Sequence, residues 1–202
     1  TTNMFVNGSI TDTSNSTRGA IYSIEWGDRT NALMPSTLIS VTNQGNVGSV
    51  WGISYDRSTN ALYSSAVVRR HVGLGPNGVG AIYRQPNFNS TTLGSSSAFY
   101  TFTASAVGTV ADNGTRFPGT GTAFGQVGPC AACDNIDPTT FAQAGKAGIG
   151  GIDVSEDGST LYAVTLADRK LYAVNTAGTP VAAEVVGAPW LGNALCAGTG
   201  VA

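Results

Sequence analysis

Short segments in which apolar and polar residues alternate recur along the chain, separated by stretches rich in Gly, Ser, Thr and Asn. Two of these segments, residues 51–63 and 151–162, match each other when the sequence is aligned with itself. Each alternates on both sides of a turn-forming sequence, which is Asp56-Arg-Ser-Thr-Asn60 in the first and Ser155-Glu-Asp-Gly158 in the second. Alternation of period two around such a turn predicts a β-hairpin in each segment.

A further strand is expected after each hairpin. It is Gly80-Ala-Ile-Tyr83 in the first case and Lys170-Leu-Tyr-Ala-Val174 in the second. The segment from Gly19 to Trp26 begins with the same Gly-Ala-Ile-Tyr sequence, so it is predicted to be the equivalent strand of a preceding unit.

The spacing of the two hairpins is about twice the 40–50-residue period of a β-propeller blade. A divergent unit is therefore expected between them, with strands at Ser97–Thr103 and Val107–Val110. The sequence predicts an all-β chain without long helices, in which 1–202 form one β-propeller or propeller-like arc of four-stranded antiparallel units. Partial units at both ends and a Ser/Thr-rich lead-in over 1–18 indicate part of a longer chain. A β-sandwich with coincidental hairpins is the alternative.

Composition narrows the functional class. Charged residues make up 11% of the chain, less than half of the roughly 25% usual in soluble domains. Ten basic and twelve acidic residues give a net charge of -2, which argues against a nucleic-acid binder that depends on phosphate contacts. No apolar run has the ~18 residues needed for a membrane-spanning helix. Low charge and hydroxyl-rich loops favour an extracellular or cell-surface protein.

Four Asn-x-Ser/Thr sequons lie in polar, turn-like stretches, where a glycan could project into solvent. Their asparagines are Asn7, Asn15, Asn89 and Asn113. All four are predicted to be exposed, and at least one to carry sugar.

Three cysteines are candidates for disulfide bonds. Cys130 and Cys133 lie in a Gly/Pro/Asp-rich stretch, and Cys196 lies near the end of the sequence. The Cys-x-x-Cys pair lacks the second pair of a zinc site and the βαβ context of a redox site. A loop staple is expected, joining Cys130 to Cys133 or one of them to Cys196.

The Gly-rich stretch that follows Arg69, Arg70 and His71 is a possible binding loop. Its backbone N–H groups could hold an anion, although the order of a P-loop is absent. The alternative, which the sequence favours, is a structural role in which these side chains bond carbonyl groups of an adjacent unit. His71 is the single histidine, so every His-dependent mechanism must use it.

The acidic residues indicate no catalytic or metal site. Asp157-Gly158 is accounted for by the hairpin turn, where both residue types tolerate positive φ. Asp134 and Asp137 could bind a cation beside the cysteines but need no such role. No cofactor, metal or catalytic residue is therefore predicted.

Taken in order, Val50–Asp56, Arg69–Tyr83, Gly145–Val164 and Leu166–Tyr172 resemble one family. It is the propeller-like region of large bacterial surface proteins with serine-aspartate-repeat B-like domains. The resemblance covers roughly residues 47–202 and implies a secreted propeller segment without established catalytic residues. The Cys-Ala-Ala-Cys loop and the first 45 residues depart from the family pattern.

The leading hypothesis is a non-enzymatic extracellular glycoprotein with a structural role in a surface or filament assembly. Its partners are further copies of itself or neighbouring domains of a longer chain, with glycans as a further possibility. One alternative is a propeller-type lyase or hydrolase with His71 as general base. Another is a carbohydrate-binding module that uses Trp26, Trp51 or Trp190 as stacking surfaces.

Overall fold

A computed structural model describes residues 2–3, 5, 7–25, 39–88, 93–112, 137–177 and 183–187. Antiparallel strands dominate, at 45% of these residues, so the all-β prediction is confirmed. The longest helix in these ranges is Pro138–Gln143, in keeping with the expected absence of long helices. None of the described helices is long and apolar enough to cross a membrane.

Eleven strands and four short α-helices follow one another in the described ranges. The strands are β1 (Thr2–Asn3), β2 (Gly19–Ser23), β3 (Ile39–Asn43), β4 (Val50–Asp56), β5 (Ala61–Ala66), β6 (Ala81–Gln85), β7 (Ser97–Thr101), β8 (Ile149–Val154), β9 (Thr160–Thr165), β10 (Leu171–Asn175) and β11 (Ala183–Gly187). The helices are α1 (Thr13–Ser16), α2 (Gln44–Val47), α3 (Ala104–Val107) and α4 (Pro138–Gln143), and a 3₁₀ turn covers Gly78–Gly80.

The strands form three sheets of hydrogen-bonded neighbours. The N-terminal sheet has the order β1-β2-β3, the middle sheet β4-β5-β6-β7, and the C-terminal sheet β8-β9-β10-β11. Within each sheet the strands follow chain order, so each is a simple antiparallel meander.

Both predicted hairpins are present. In the middle sheet Tyr55 lies opposite Leu62 across β4 and β5, and in the C-terminal sheet Val154 lies opposite Leu161 across β8 and β9. The predicted third strands are β6 and β10. Their registers also agree. Tyr83 lies opposite Ser64, two residues after Leu62, and Tyr172 lies opposite Ala163, two residues after Leu161.

The assignment of Ser97–Thr103 and Val107–Val110 to a divergent unit between the hairpins is wrong. Ser97–Thr101 is β7, which pairs with β6 and completes the middle sheet. Val107 ends α3, and residues 108–110 form no strand. The alternating sequence at 97–101 predicts a strand, and this is confirmed, but alternation carries no information about which sheet a strand joins. Within the described residues, the matched hairpins belong to two sheets whose first strands are in contact.

The N-terminal sheet resembles the second half of the middle sheet. In both, the last strand leads into a four-residue helix, α2 or α3. A glycine with positive φ then ends the helix, Gly48 at 63° and Gly108 at 75°. This agreement makes β3 the counterpart of β7 and β2 the counterpart of β6, as the shared Gly-Ala-Ile-Tyr sequence predicted.

The middle and C-terminal sheets pack side by side through their first strands, β4 and β8. Ser54 Oγ donates to Asp153 Oδ1 at 3.0 Å and accepts from the backbone N–H of Val154 at 2.9 Å. Ser54 and Asp153 occupy matched positions of the two hairpins, 99 residues apart. A cluster of buried apolar side chains, including Tyr63, Ile82 and Ile149, continues from one sheet to the other.

Candidate functional site

The loop between β5 and β6, residues 67–80, contains the predicted binding residues. Arg69 and Arg70 are exposed, whereas His71 is only 8% exposed. The backbone N–H of His71 donates to Asp137 Oδ2 at 3.1 Å, and its carbonyl accepts from the N–H of Gly8 at 2.7 Å. His71 has φ 60°, a conformation that non-glycine residues rarely adopt and that needs support from its surroundings.

Further hydrogen bonds join the rest of this loop to three other segments. Leu74 N–H donates to Asp112 Oδ2 at 2.9 Å. Gly73 donates from its N–H to the carbonyl of Gly8 and accepts at its own carbonyl from Ser49 N–H, both at 2.9 Å. The loop thus joins the N-terminal segment, the start of the middle sheet and the connection 102–148.

The loop binds anions on its backbone, but those anions belong to the chain itself. The N–H groups of His71 and Leu74 meet the carboxylates of Asp137 and Asp112. A backbone N–H with an ionised acceptor makes a strong hydrogen bond, so these donors are already well satisfied. The structural interpretation fits this arrangement, in which main-chain N–H groups of the loop and acidic side chains make the contacts.

Asp137 has a second task at the start of α4. Its Oδ1 accepts from Thr140 N–H at 2.8 Å and its Oδ2 from Thr140 Oγ1 at 2.7 Å, while Pro138 follows directly at the first helical position. This is a helix N-cap. One buried carboxylate therefore fixes both the helix and the His71 loop. Asp134, its predicted companion in a cation site, lies outside the described residues.

A second site is formed by Phe5, Trp51 and Arg69, called here the aromatic platform. Trp51 on β4 is 59% exposed. Its ring lies nearly parallel to that of Phe5, with an interplanar angle of 17° and ring centroids 6.3 Å apart. The Arg69 guanidinium carbon lies 3.9 Å from the Phe5 ring centroid, the geometry of a cation–π contact.

The platform is held by the N-terminal segment. Asn3 in β1 donates from Nδ2 to the Trp51 carbonyl at 2.7 Å. Gly8 is bonded to the His71 loop through both its N–H and its carbonyl. Phe5 lies between these two attachments in the sequence, and its ring contacts both Trp51 and Arg69.

The matched position in the C-terminal sheet carries no ring. Trp51 aligns with Gly150 on β8 when Ile53 is aligned with Ile152. A Cβ atom at Gly150 would lie 3.0 Å from Leu166 Cδ2, so Leu166 leaves little room for a side chain there. The fold of a sheet unit therefore does not require an aromatic residue at this position.

The other predicted site residues are scattered. Asn7 is exposed as expected, whereas Asn15 is only 4% exposed, so the prediction of its exposure is wrong. Asn15 lies in the short helix α1, where its Nδ2 donates to Asp12 Oδ2 at 3.4 Å. A sequon motif specifies three residues and not their burial. The remaining predicted residues lie outside the described ranges: Asn89, Asn113, Cys130, Cys133, Cys196, Trp26 and Trp190.

The acidic residues around the second hairpin serve the turns. Asp157 accepts from the Ser155 hydroxyl and from both the N–H and the hydroxyl of Ser159, and these bonds lower the pKa of Asp157 to about 2. Within the described ranges, no group of three or more His, Cys, Asp and Glu side chains could hold a metal ion.

Asp168 pairs with a tyrosine in the next turn. It accepts from Tyr172 Oη at 2.6 Å and from Thr165 Oγ1, and Lys170 Nζ lies 3.8 Å away. Burial, together with the hydrogen bond and negative charge of Asp168, raises the pKa of Tyr172 to about 12.

Sequence reasoning missed Phe5 and Asp112. Phe5 lies in the predicted Ser/Thr-rich lead-in, and long-range contacts of β1 and Gly8 bring it to Trp51. The one available signal was the apolar run Met4-Phe5-Val6 within that stretch. Asp112 lies far from the His71 loop in sequence, and no local pattern connects them.

No protein-family model matches the chain, and no curated protein matches it significantly. The resemblance to bacterial surface proteins therefore stays a prediction.

Proposed function

We propose that the chain is a non-enzymatic structural module of an extracellular or cell-surface assembly, built as an arc of propeller-like units. The observation that carries this proposal is the role of the loop 67–80. This loop contains the single histidine, which any His-dependent mechanism must use, and its main chain braces the middle sheet against segments at 8, 49, 112 and 137.

The side-by-side packing of β4 and β8 supports the propeller-like arrangement. Matched residues of consecutive units, Ser54 and Asp153, meet at this contact, as expected where similar units repeat about an axis. The N-terminal sheet, with its two-residue β1, is then a partial unit.

Apolar residues on the outer strands support self-association. Ile39 on β3 and the consecutive residues Val185 and Val186 on β11 are each about half exposed. Side chains of consecutive strand residues point to opposite faces, so both faces of β11 are uncovered by the described part of the chain. Low charge gives such an edge little protection against pairing with another strand.

Sedimentation of the 202-residue chain at low and high salt tests this proposal. We expect assemblies that persist at high salt, because apolar edges and not ion pairs join them. Val186→Lys should shift the chain towards monomer, whereas the control Phe141→Lys, an exposed residue on α4, should not. A stable monomer with cooperative unfolding at every salt concentration would contradict the assembly proposal.

A further inference from the structure

The aromatic platform is separate from the backbone hydrogen bonds of His71, Gly73 and Leu74 that brace the loop 67–80. Its exposed ring stands where the C-terminal sheet has Gly150, and the loop that supplies Arg69 is far shorter in that sheet, at 166–170. The platform is thus an addition to the shared strand pattern. A large exposed aromatic side chain in a defined orientation is typical of a binding surface.

We propose that the aromatic platform binds an acidic polysaccharide, with a sugar ring on Trp51 and a uronic-acid carboxylate on Arg69. This inference does not depend on the proposed structural role.

The ring chemistry favours a sugar. The face of an aromatic ring carries partial negative charge, which attracts the polarised C–H groups on one side of a pyranose. Asn3 holds the main chain of Trp51, and Phe5 lies against its ring. The surface is therefore preorganised, so little ordering is needed when a ligand binds.

The charge chemistry favours an acidic sugar. Arg69 and Arg70 are consecutive and exposed in a chain with a net charge of -2. The planar fork of a guanidinium matches the two oxygens of a carboxylate. The Phe5 ring centroid lies 6.3 Å from the Trp51 ring centroid and 3.9 Å from the Arg69 guanidinium carbon, so Trp51 and Arg69 are both neighbours of one ring. Adjacent residues of one oligosaccharide can span that separation.

Single-stranded nucleic acid also combines flat bases with negative charge, but the platform suits it less well. Such ligands are held by positively charged grooves that follow the backbone, and the whole chain has ten basic residues. A short oligonucleotide is therefore the competing ligand in the test.

The test is a titration of the 202-residue chain with trigalacturonate and with its methyl ester, which is the same trisaccharide without free carboxylates. Binding is measured by calorimetry and by NMR of the Trp51 indole N–H, which Trp51→Phe assigns. We expect the free acid to bind roughly tenfold more tightly than the ester. This preference should shrink at about 0.5 M salt, where charge interactions are screened.

Three variants divide the contributions. Trp51→Ala should weaken binding of both ligands by roughly tenfold or more, and Trp51→Phe should retain most of it. Arg69→Gln should reduce the affinity for the free acid to that for the ester. Phe141→Ala removes an aromatic ring that is 88% exposed on α4 and serves as the control, with no expected effect.

Several results would overturn the proposal. These are equal affinity for acid and ester, unchanged binding in Trp51→Ala, tighter binding of an oligothymidylate, or no binding of either sugar at millimolar concentration. The indole signal in the unsubstituted chain keeps the test decisive if Trp51→Ala does not fold, because a true ligand must shift it.

Discussion

In the middle sheet the second and third strands are joined by residues 67–80, whereas in the C-terminal sheet the same connection is 166–170. The strands on either side keep the same register. Tyr83 lies opposite Ser64 in one sheet, and Tyr172 lies opposite Ala163 in the other. A much longer connection has therefore been accommodated without any shift in strand pairing, as expected because closing a longer loop costs little additional free energy.

The longer connection changes what surrounds the middle sheet. It receives the carboxylates of Asp112 and Asp137 on its backbone, packs against the N-terminal segment and supplies Arg69 to the aromatic platform. The C-terminal sheet has a tight turn there, closed by Asp168. Two sheets with one strand pattern thus differ mainly in their loops, where specialised roles are usually found.

The largest effect is expected from Gly48→Ala. Gly48 has φ 63°, and a Cβ atom there would clash with the backbone of Leu74 and Gly75 in the long loop. Backbone cannot move aside as a side chain can. We expect the free energy of unfolding to fall by more than about 3 kcal/mol, measured by urea denaturation.

Gly108→Ala is the matched control for Gly48→Ala. Gly108 ends α3 as Gly48 ends α2, with φ 75°. Its added Cβ would meet the Cβ atoms of Ala147 at 3.3 Å and Ala167 at 3.5 Å. The expected loss is only the cost of this positive-φ backbone conformation, which is essentially restricted to glycine, about 1–3 kcal/mol. Equal losses in the two variants would show that the long loop does not pack on Gly48.

The next effect in size is expected from Asp137→Ala. This change leaves His71 N–H, Thr140 N–H and Thr140 Oγ1 without their acceptor. A lost N-cap costs about 1 kcal/mol, and a buried donor left unpaired costs about 1–3 kcal/mol. The free energy of unfolding should therefore fall by about 3 kcal/mol, and amide hydrogen exchange at His71 should accelerate.

Asp137→Asn separates the contribution of the helix N-cap to stability from the contribution of the negative charge. An asparagine keeps one oxygen acceptor and caps a helix about as well as aspartate, so it should recover roughly half of the loss. If Asp137→Ala changed neither stability nor exchange at His71, the loop would not depend on this carboxylate.

The sequence predicted the strand pattern of both hairpins because alternation and turn chemistry are local properties. The third strands followed from Gly-Ala-Ile-Tyr at 19 and 80 and from the run at 170–174. Which sheet Ser97–Thr101 would join was not local information. Sheet membership depends on pairing between distant segments. Because the two hairpins are 99 residues apart, about twice the period of a blade, the sequence predicted a further unit between them.

The candidate site was predictable only in part. Trp51 and Arg69 were both named from sequence, but as members of different hypotheses. Their common neighbour Phe5 comes from a segment placed by β1 and by the hydrogen bonds of Gly8. Long-range contacts of this kind leave no spacing in the sequence.

A smaller effect, of opposite sign, is expected at Gln44. This residue is the first of α2, where α3 has Ala104, and it is fully buried. Neither its amide nitrogen nor its amide oxygen has a hydrogen-bond partner in the described part of the chain. An unpaired buried amide is costly. Gln44→Met keeps the volume and removes both polar atoms, so it should raise the free energy of unfolding by about 1–2 kcal/mol.

Gln44→Ala serves as the control for volume. It also removes the amide but leaves a cavity, so it should be less stable than Gln44→Met. A loss of stability in Gln44→Met would show that the amide is satisfied after all, for example by an internal water.

The smallest effect near neutral pH concerns the matched tyrosines on the third strands. Burial raises the pKa of Tyr83 to about 12, against a smaller lowering by the N–H of Asn77. Tyr172 reaches about 12 through burial and Asp168. A raised pKa in the folded state means that stability is full below the unfolded value near 10 and is lost as pH rises towards 12.

Absorbance of tyrosinate at increasing pH should show two late-titrating groups, one removed by Tyr83→Phe and one by Tyr172→Phe. Asp168→Asn should lower the pKa of Tyr172 alone, because it removes a negative charge from the C-terminal sheet and none from the middle sheet. If Asp168→Asn shifted both tyrosines or neither, the two sheets would not raise these pKa values by different means.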